Sequence, residues 1–251
     1  MAGSGKATPP PDLRSKSRPL RVGVLAIQGD FEAHAAALGR LGAEAREVRK
    51  PAELADLDAL VIPGGESTTI SMGLESSGLD AAIRRLAEVG TPIFGTCAGL
   101  IVLDRDHLGL MDIEARRNAF GRQVSSFEAD LAVKGLGDEP LRAVFIRAPW
   151  IEDAGEGVEV LAEIDGHPVV AREGNLLVAA FHPELTDDLR LHAFFLAHVG
   201  EEEKGRPAAS RRTGFGRDGI VRDGVARDGN ARDGRPAGKP PAGLPAGGNL
   251  S

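Results

Sequence analysis

The sequence predicts a doubly wound α/β domain, in which a mostly parallel sheet is covered by helices on both faces. Two observations carry this prediction. Apolar runs of strand length alternate with segments of helical periodicity. In addition, the first run, Leu20 to Ile27, is almost continuously apolar, as in a strand that is covered on both of its faces. We therefore expect this first strand to lie in the centre of the sheet.

The first half of the chain supplies the parallel strands and their crossover helices. Helical periodicity runs from Phe31 to Leu41 and again from Leu79 to Val89. Short apolar runs between and after these helices predict three further strands: Ala45 to Val48, Ala59 to Ile62 and Pro92 to Gly95. Because strands that alternate with helices pair in parallel, these elements form the predicted core of the sheet.

The second half has shorter segments with β propensity and closer turns, which favour antiparallel additions to the sheet. Five strands are predicted there: Val124 to Phe127, Leu141 to Ile146, Val158 to Ile164, Pro168 to Ala171 and Leu176 to Phe181. A final amphipathic stretch, Asp187 to Val199, follows Thr186, which is a good N-cap residue. It predicts a helix that packs back on the sheet.

Both ends of the chain differ in composition from the middle. Residues 1–19 are rich in Gly, Pro, Ser and Lys, and residues 200–251 are rich in Gly, Pro, Ala, Arg and Asp. Because such segments cannot offset the entropy cost of ordering, we expect two disordered tails around a folded domain of residues 20–199. The second tail repeats Arg-Asp-Gly, which is typical of low-complexity expansion; it is either a solvated appendage or an interaction tail.

Charge and cysteine content narrow the function classes. The 251 residues carry a net charge of −7, so the basic field that nucleic-acid or anionic-membrane binding needs is missing. The sequence has neither the apolar core of a secretory signal nor a run approaching the roughly 20 residues of a membrane span. Its single cysteine cannot form an internal disulfide, which favours a reducing compartment. We expect a cytoplasmic protein whose partners are small molecules and proteins.

That cysteine lies in a nucleophile elbow. The segment Gly95-Thr-Cys97-Ala-Gly99 joins a short apolar strand to a helical pattern, and its two glycines permit the tight turn that lifts the nucleophile out. The thiol then lies at a helix N-terminus, where unpaired N–H groups and the helix dipole favour the attacking thiolate. A lone cysteine is otherwise commonly an inert buried residue; the elbow makes the catalytic interpretation the better one.

His182 and Glu184 offer the acid and base that a thiolate nucleophile needs. His182 follows the last predicted strand, and an imidazole can protonate a departing nitrogen and then activate water at neutral pH. Because residues two apart in extended chain point to the same side, Glu184 can orient that imidazole. The remaining histidines lie in helical or turn contexts without an equivalently placed carboxylate: His34, His107, His167, His192 and His198.

A third motif, Pro63-Gly64-Gly65, ends a buried strand. Glycine N–H groups beside the nucleophile can stabilise the oxyanion of a tetrahedral intermediate, an effect worth about 3–4 kcal/mol per donor. We predict an oxyanion hole formed by the N–H groups of Gly65 and Ala98. The alternative is a plain loop turn.

In the order Pro-Gly-Gly, elbow cysteine, His-x-Glu, the chain resembles the class I (triad) glutamine amidotransferases. Over residues 20–199 it resembles most closely the glutaminase subunit of pyridoxal 5'-phosphate synthase. Five segments carry this resemblance: Ala26-Ile-Gln-Gly-Asp30, Pro63-Gly-Gly-Glu-Ser-Thr-Thr69, Arg117-Asn-Ala-Phe-Gly-Arg-Gln123, Phe145-Ile-Arg-Ala-Pro149 and Phe181-His-Pro-Glu-Leu-Thr186. The resemblance implies a single flavodoxin-like domain that hydrolyses L-glutamine to L-glutamate and ammonia.

It also implies a role for each matching residue. Cys97 would be the nucleophile, His182 the base and acid, and Glu184 its orienter. The glutamine-holding residues would be Gly65, Glu66, Ser67, Arg117, Ile146 and Arg147. Arginine suits the substrate carboxylate because its planar fork binds both oxygens; surface ion pairing is the alternative for both arginines.

The resemblance implies further that ammonia passes to a barrel-shaped synthase subunit in a hetero-oligomeric complex, and that no cofactor or metal is needed. The chain departs from the family pattern in a short segment before His107 and a long tail after Val199. Three alternatives remain: a glutaminase that serves another synthase, a non-catalytic regulatory module with the same fold, and a hydrolase of free γ-glutamyl compounds.

Overall fold

A seven-stranded, mostly parallel sheet forms the centre of the structure. The computed structural model describes residues 18–120 and 126–205; for residues 200–205 it describes the backbone only. Its strands are β1 (Arg21–Leu25), β2 (Glu44–Val48), β3 (Ala59–Ile62), β4 (Ile93–Thr96), β5 (Ile113–Arg116), β6 (Ser126–Leu131), β7 (Leu141–Ile146), β8 (Trp150–Ala154), β9 (Glu159–Ile164), β10 (His167–Glu173) and β11 (Leu176–Ala179). Its α-helices are α1 (Phe31–Arg40), α2 (Ser67–Ser77), α3 (Leu79–Glu88), α4 (Ala98–Leu103) and α5 (Arg190–Gly205).

The strand order in the main sheet is β2-β1-β3-β4-β11-β10-β9. The first five strands in this order pair in parallel, whereas β10 pairs antiparallel with both β11 and β9. Two antiparallel pairs, β5 with β8 and β6 with β7, form separate small sheets. The predicted doubly wound α/β fold with antiparallel additions is therefore confirmed.

The helices cover both faces of this sheet. The chain moves from β1 to β2 in one direction along the sheet and from β3 to β4 in the other. Because parallel crossovers are almost always right-handed, α1 lies on one face, and α2 and α3 lie on the opposite face. α4 contacts α2, while the side chains of α5 meet those of α1. The space between these layers is filled by one continuous apolar core.

Strand β1 does not occupy the predicted central position. Its side chains are nearly all buried and it pairs on both sides, but the middle strand is β4. A continuous apolar run shows only that a strand is covered on both faces, which holds for any interior strand of this sheet. Its lateral position depends on the connections, which periodicity does not encode.

Helix α2 and strands β5 and β8 were not predicted from the sequence. Helix α2 contains serine, threonine and glycine, which are weak helix formers. Its start is fixed instead by the side chain of Glu66, which accepts hydrogen bonds from the backbone N–H groups of Thr68 and Thr69. Helix α5 begins at Arg190, three residues later than predicted, because Asp188 Oδ1 accepts the Arg190 N–H at 3.0 Å.

The predicted tails fall mostly outside the described residues, which begin at 18 and end at 205. The predicted strand from Val124 also begins outside them, and β6 is described from Ser126. Helix α5 continues to Gly205, beyond its predicted end at Val199. Of the helices in the described part of the chain, none combines the length and apolar character that crossing a membrane would require.

Candidate active site

An open cleft of about 420 Å³ lies where the carboxyl ends of β1, β3, β4 and β11 meet. Ligand sites in open α/β sheets form at this edge, because the loops after neighbouring parallel strands converge there. Every predicted site residue except Glu184 lines the cleft: Gly65, Glu66, Ser67, Cys97, Ala98, Arg117, Ile146, Arg147 and His182. The structure thus brings together residues that are far apart in the sequence.

Cys97 lies between β4 and α4 in a conformation that non-glycine residues rarely adopt, with φ 48° and ψ −106°. Its N–H donates to Ala179 O at 2.8 Å, which ties the turn to β11. The flanking glycines are needed for close packing: a Cβ at Gly99 would lie 2.1 Å from Ile62 O, and one at Gly95 would lie 2.6 Å from Gly99 O. The elbow therefore forms as predicted, but the positive φ falls on the cysteine itself.

The imidazole of His182 lies between the thiol of Cys97 and the carboxylate of Glu184. Its Nδ1 is 2.8 Å from Glu184 Oε1, which leaves Nε2 for the sulfur. Burial disfavours the charged imidazole, but hydrogen bonds to Cys97 and Glu184 outweigh it and raise the pKa of His182 to about 10. The ring is consequently protonated at neutral pH and can donate a proton towards the cleft.

Glu184 is buried behind His182 and meets a second histidine that the sequence analysis missed. His34 on α1 is fully buried, and its Nε2 lies 3.1 Å from Glu184 Oε2. Burial opposes ionisation of the carboxyl, but the hydrogen bond from His182 and the neighbouring imidazole of His34 outweigh it and hold the pKa of Glu184 well below its usual range. His34 shares the buried face of α1 with Ala37 and Leu38, and this three-and-four spacing is the sequence signal that could have placed it inside.

Of the five histidines predicted to lack a carboxylate placed as Glu184 is for His182, two do contact a carboxylate: His34 contacts Glu184, and His107 Nδ1 lies 2.7 Å from Asp104 Oδ1. His107 is not among the residues that line the cleft. Of the others, His167 stacks on the ring of Trp150, and His198 contacts a backbone carbonyl of its own helix through Nδ1. Only His34 and its buried neighbour His192 extend the triad.

The Gly64–Gly65 turn packs directly on Cys97 and His182. A Cβ at Gly64 would lie 2.5 Å from His182 Cε1 and 3.2 Å from Cys97 Cβ. The carbonyl oxygen of Gly64 faces Gly29, where a Cβ would approach it to 1.7 Å, so in a trans peptide the Gly65 N–H points away from Gly29. Ala98 is the first residue of α4, and its N–H has no partner within the helix.

Glu66 uses its carboxylate to cap α2. The backbone N–H of Thr69 at 2.7 Å, its hydroxyl at 2.9 Å and the N–H of Thr68 at 3.1 Å all donate to it, and these bonds lower the pKa of Glu66 to about 2. The N–H of Glu66 donates to Gln28 Oε1 at 3.2 Å. Its carbonyl oxygen accepts the Ile70 N–H at 3.0 Å, so Glu66 lines the cleft with its polar groups hydrogen-bonded within the protein, and Ser67 is buried beside it.

Two arginines bring positive charge to the cleft. Arg117 donates to Thr68 Oγ1 at 3.2 Å, and Arg147 has a positive φ of 44°. The arginine ion pairs among the described residues are formed by other arginines, so surface ion pairing does not explain these two. The carbonyl oxygen of Ile146 lies 3.9 Å from Cys97 Sγ.

Six residues that the sequence analysis did not assign to the site also line the cleft: Gln28, Gly29, Asp30, Ile101, Asn118 and Pro149. Gln28, Gly29 and Asp30 follow β1, and Asn118 lies next to Arg117. All four lie within the motifs that carry the family resemblance. Position in a motif was therefore the available signal, although it gives no chemical role.

One group of potential metal ligands occurs among the described residues: Asp30, His182 and Glu184, whose ligand atoms lie within 4.8 Å of one another. His182 Nδ1 and Glu184 Oε1 are already hydrogen-bonded to each other. An ion at this position would break the bond that orients the imidazole, so these atoms suit a catalytic triad better than a metal site.

Comparison with known proteins matches the chain to glutamine amidotransferases. The profile of the SNO glutamine amidotransferase family matches residues 24–201. Curated relatives named pyridoxal 5'-phosphate synthase subunit PdxT include one from Pelotomaculum thermopropionicum, 55% identical over 196 residues, covering 74% of this chain and 100% of the relative. Another, from Thermus thermophilus, is 55% identical over 188 residues, covering 71% of this chain and 97% of the relative.

Solved structures agree with this comparison. A crystal structure described as a glutamine amidotransferase is 51% identical, with a TM-score of 0.68, and the match covers 71% of this chain and 98% of that one. A second structure, described as PurLQS from Thermotoga maritima, is 18% identical with a TM-score of 0.55, and the match covers 74% of this chain and 99% of that one. At that identity the second match shows the shared fold alone.

Proposed function

The chain belongs to the SNO glutamine amidotransferase family, and on this premise we propose that it hydrolyses L-glutamine to L-glutamate and ammonia with Cys97, His182 and Glu184 as its triad. One observation carries the assignment of the residues. The only cysteine of the chain faces an imidazole whose far nitrogen is fixed by a buried carboxylate at 2.8 Å. This is the arrangement in which a thiolate nucleophile and its acid and base act as a unit.

In the proposed reaction the Cys97 sulfur attacks the side-chain amide carbon of glutamine. The carbonyl π electrons move to oxygen, and the N–H groups of Gly65 and Ala98 stabilise the resulting oxyanion. As the oxyanion collapses, the C–N bond breaks and His182 protonates the departing nitrogen, which leaves as ammonia. The product of this half-reaction is a glutamyl thioester on Cys97.

The second half-reaction returns the enzyme to its starting state. Neutral His182 accepts a proton from water, and the hydroxide oxygen attacks the thioester carbonyl. The C–S bond then breaks, which releases glutamate and regenerates the Cys97–His182 pair. Glu184 stabilises the imidazolium that is present at the start of the first half-reaction and is formed again in the second, because its carboxylate is held at 2.8 Å from Nδ1.

Arg117 and Arg147 are the proposed anchors for the α-carboxylate of glutamine. Both line the cleft that contains Cys97, and a carboxylate can accept two parallel hydrogen bonds from one guanidinium. The backbone of Gly65, Glu66 and Ile146, together with Ser67, would hold the rest of the substrate. Because the arginines bind one end of glutamine, they set the distance at which its amide meets the sulfur.

The curated relatives are named as subunits of pyridoxal 5'-phosphate synthase, so we propose that the ammonia is supplied to a synthase partner. In finer detail, we propose a barrel-shaped synthase in a hetero-oligomeric complex, and a cytoplasmic location. We assign the activity to a glutaminase domain of residues 20–199, flanked by the tail segments 1–19 and 200–251.

The direct test is glutamate release from glutamine by the full chain, alone and with its synthase partner. Wild type should turn over glutamine and become covalently labelled at Cys97 by a glutamine-analogue electrophile, whereas Cys97→Ala should show neither property. Turnover that is unchanged in Cys97→Ala would refute the proposed triad. Absence of turnover in the wild type with the partner present would refute the glutaminase function itself.

A further inference from the structure

Two buried histidines continue the triad beyond Glu184. His34 and His192 are both fully buried, and His34 Nδ1 lies 3.0 Å from His192 Nε2. On the other side of the ring, His34 Nε2 lies 3.1 Å from Glu184 Oε2 and 3.1 Å from Thr96 Oγ1. The reaction described above uses neither imidazole, although burying such polar rings is costly unless they are hydrogen-bonded.

The neighbours of His34 determine where its proton lies. A carboxylate has only acceptor sites, so an unprotonated Nε2 would place its lone pair 3.1 Å from Glu184 Oε2 and repel it. Nε2 therefore carries a proton; its aligned partner is Thr96 Oγ1 at 3.1 Å, and Glu184 Oε2 lies at the same distance beside it. Burial, to which the neighbouring His34 adds, lowers the pKa of His192 to about 3, so His192 is neutral at neutral pH.

The same proton arrangement accounts for the ring nitrogen of His192 that does not contact His34. When Nε2–H of His192 donates to Nδ1 of His34, only Nδ1 of His192 is left without a hydrogen-bond partner in the described residues. That atom is then an unpaired acceptor, which is less costly to bury than an unpaired N–H group. His192 thus fixes the ring of His34 with its proton on the side that faces Glu184.

This contact has a consequence for Glu184. Its Oε1 accepts a hydrogen bond from His182 Nδ1 at 2.8 Å. Its Oε2 has no well-aligned hydrogen bond among the described residues, so the Nε2 of His34 at 3.1 Å is the polar group that faces it. Without His34, one oxygen of a fully buried carboxylate would face no charge-compensating group, and the carboxylate would be free to turn away from His182. A buried charge needs such compensation at both of its oxygens.

We propose that His34 is a positioning residue of the triad, which holds Glu184 in place through the protonated Nε2 that faces Oε2 at 3.1 Å, and that His192 fixes the tautomer of His34. The inference rests on the proposed glutaminase function. His34 does not line the cleft and acts on the reaction through the buried groups it contacts, Glu184 and Thr96. It should therefore affect the chemical step and leave glutamine binding almost unchanged.

The test compares three replacements of His34 in the full chain, assayed with the synthase partner. In His34→Gln the amide nitrogen reaches the place of Nε2 and keeps a donor for Glu184, whereas in His34→Asn the amide reaches only the place of Nδ1. His34→Leu removes both groups. We expect the Asn and Leu variants to lose about tenfold to a hundredfold in kcat, the usual effect of losing a hydrogen bond to a charged group, while Gln stays within about threefold. KM should change less than about twofold in all three variants, because none of them removes a contact that binds glutamine in the ground state.

The pH profile separates positioning from general damage. Loss of the donor raises the pKa of Glu184, so the acidic limb of kcat/KM should move to higher pH in His34→Asn and remain in place in His34→Gln. The other charged or titratable groups that face this pair are His182 and Asp30, whose ligand atoms lie within 4.8 Å of those of Glu184, and His192 from α5. All three are present in every variant, so they cannot produce a difference between the two amides.

Two further measurements complete the experiment. In a Glu184→Gln background, His34→Asn should cause little additional loss of kcat, because the two residues act as one unit. His107→Gln, which changes a histidine outside the cleft, should behave as wild type. Equal losses in the Asn and Gln variants, or an undiminished loss in the Glu184→Gln background, would show that His34 serves only packing and would overturn the proposal. Since wild type is measured alongside, failure of the glutaminase function itself would be recognised separately.

Discussion

Replacing Gly64 by alanine should abolish most of the activity while the fold remains intact. The added Cβ would lie 2.5 Å from His182 Cε1 and 3.2 Å from Cys97 Cβ, whereas carbon atoms in ordinary contact are about 3.5–4.0 Å apart. The imidazole and the turn must therefore separate by about 1 Å, a displacement that can cost about a hundredfold in rate when it misplaces a catalytic group. Gly64 is not among the glycines with positive φ, so alanine can adopt its backbone conformation.

The assay for this variant is glutamate release at saturating glutamine with the synthase present, together with thermal unfolding. Overpacking at one site costs about 1–3 kcal/mol, which a domain of ordinary stability, about 5–15 kcal/mol, survives. Gly39→Ala is the matched control, because a Cβ at Gly39 would meet nothing within 4 Å. If Gly64→Ala keeps wild-type kcat, the turn does not set the position of His182 and the reasoning fails.

Three further predictions follow from the same site. Because folding raises the pKa of His182 from 6.5 to about 10, the stability contributed by its protonated form is complete below pH 6.5 and is lost as the pH rises through about 10. Urea titrations at a series of pH values should show the free energy of unfolding of the wild type falling across this pH window, and that of His182→Gln falling less. If the two proteins lost the same free energy of unfolding over the window, the prediction would be contradicted. Gly99→Ala, whose Cβ would lie 2.1 Å from Ile62 O, should lower the free energy of unfolding by about 1–3 kcal/mol or more; an unchanged urea midpoint would argue against the close packing. Arg117→Lys and Arg147→Lys should each raise KM for glutamine by about tenfold with kcat nearly unchanged, because a point charge replaces a two-pronged donor; an unaltered KM would remove that arginine from the carboxylate site.

The parallel core could be predicted from the sequence because its signals are local. Strand β3 has the predicted bounds, Ala59–Ile62, and α1 begins at the predicted residue, Phe31, since apolar periodicity reflects burial in each element directly. The elbow was equally readable, because the spacing of Gly95 and Gly99 around the cysteine is fixed by a single turn. In each case the information lies within a few neighbouring residues.

The rest depended on contacts that a local pattern does not record. The pairing of His34 with Glu184 joins α1 to the turn after β11, and it depends on which strands become neighbours in the sheet. Glu66 was predicted as a substrate-binding residue, but its carboxylate caps α2, a helix whose weak formers conceal it. A side chain's role was thus predictable only where its partners were close in sequence.

Backbone strain at the site is maintained by the sheet on which the site is built. Five non-glycine residues in the described part of the chain have positive φ, and three of them, Cys97, Asn118 and Arg147, line the cleft. Such conformations cost about 1–3 kcal/mol each and persist only where the surroundings over-determine them. At Cys97 a hydrogen bond provides part of that constraint, because its N–H donates to Ala179 O of β11 at 2.8 Å. His182 has a negative φ and follows β11 by three residues, and its N–H donates to Val144 O of β7 at 2.9 Å. Because this bond joins the imidazole-bearing turn to the β6–β7 pair, a shift of that pair relative to the main sheet would change the distance between sulfur and ring.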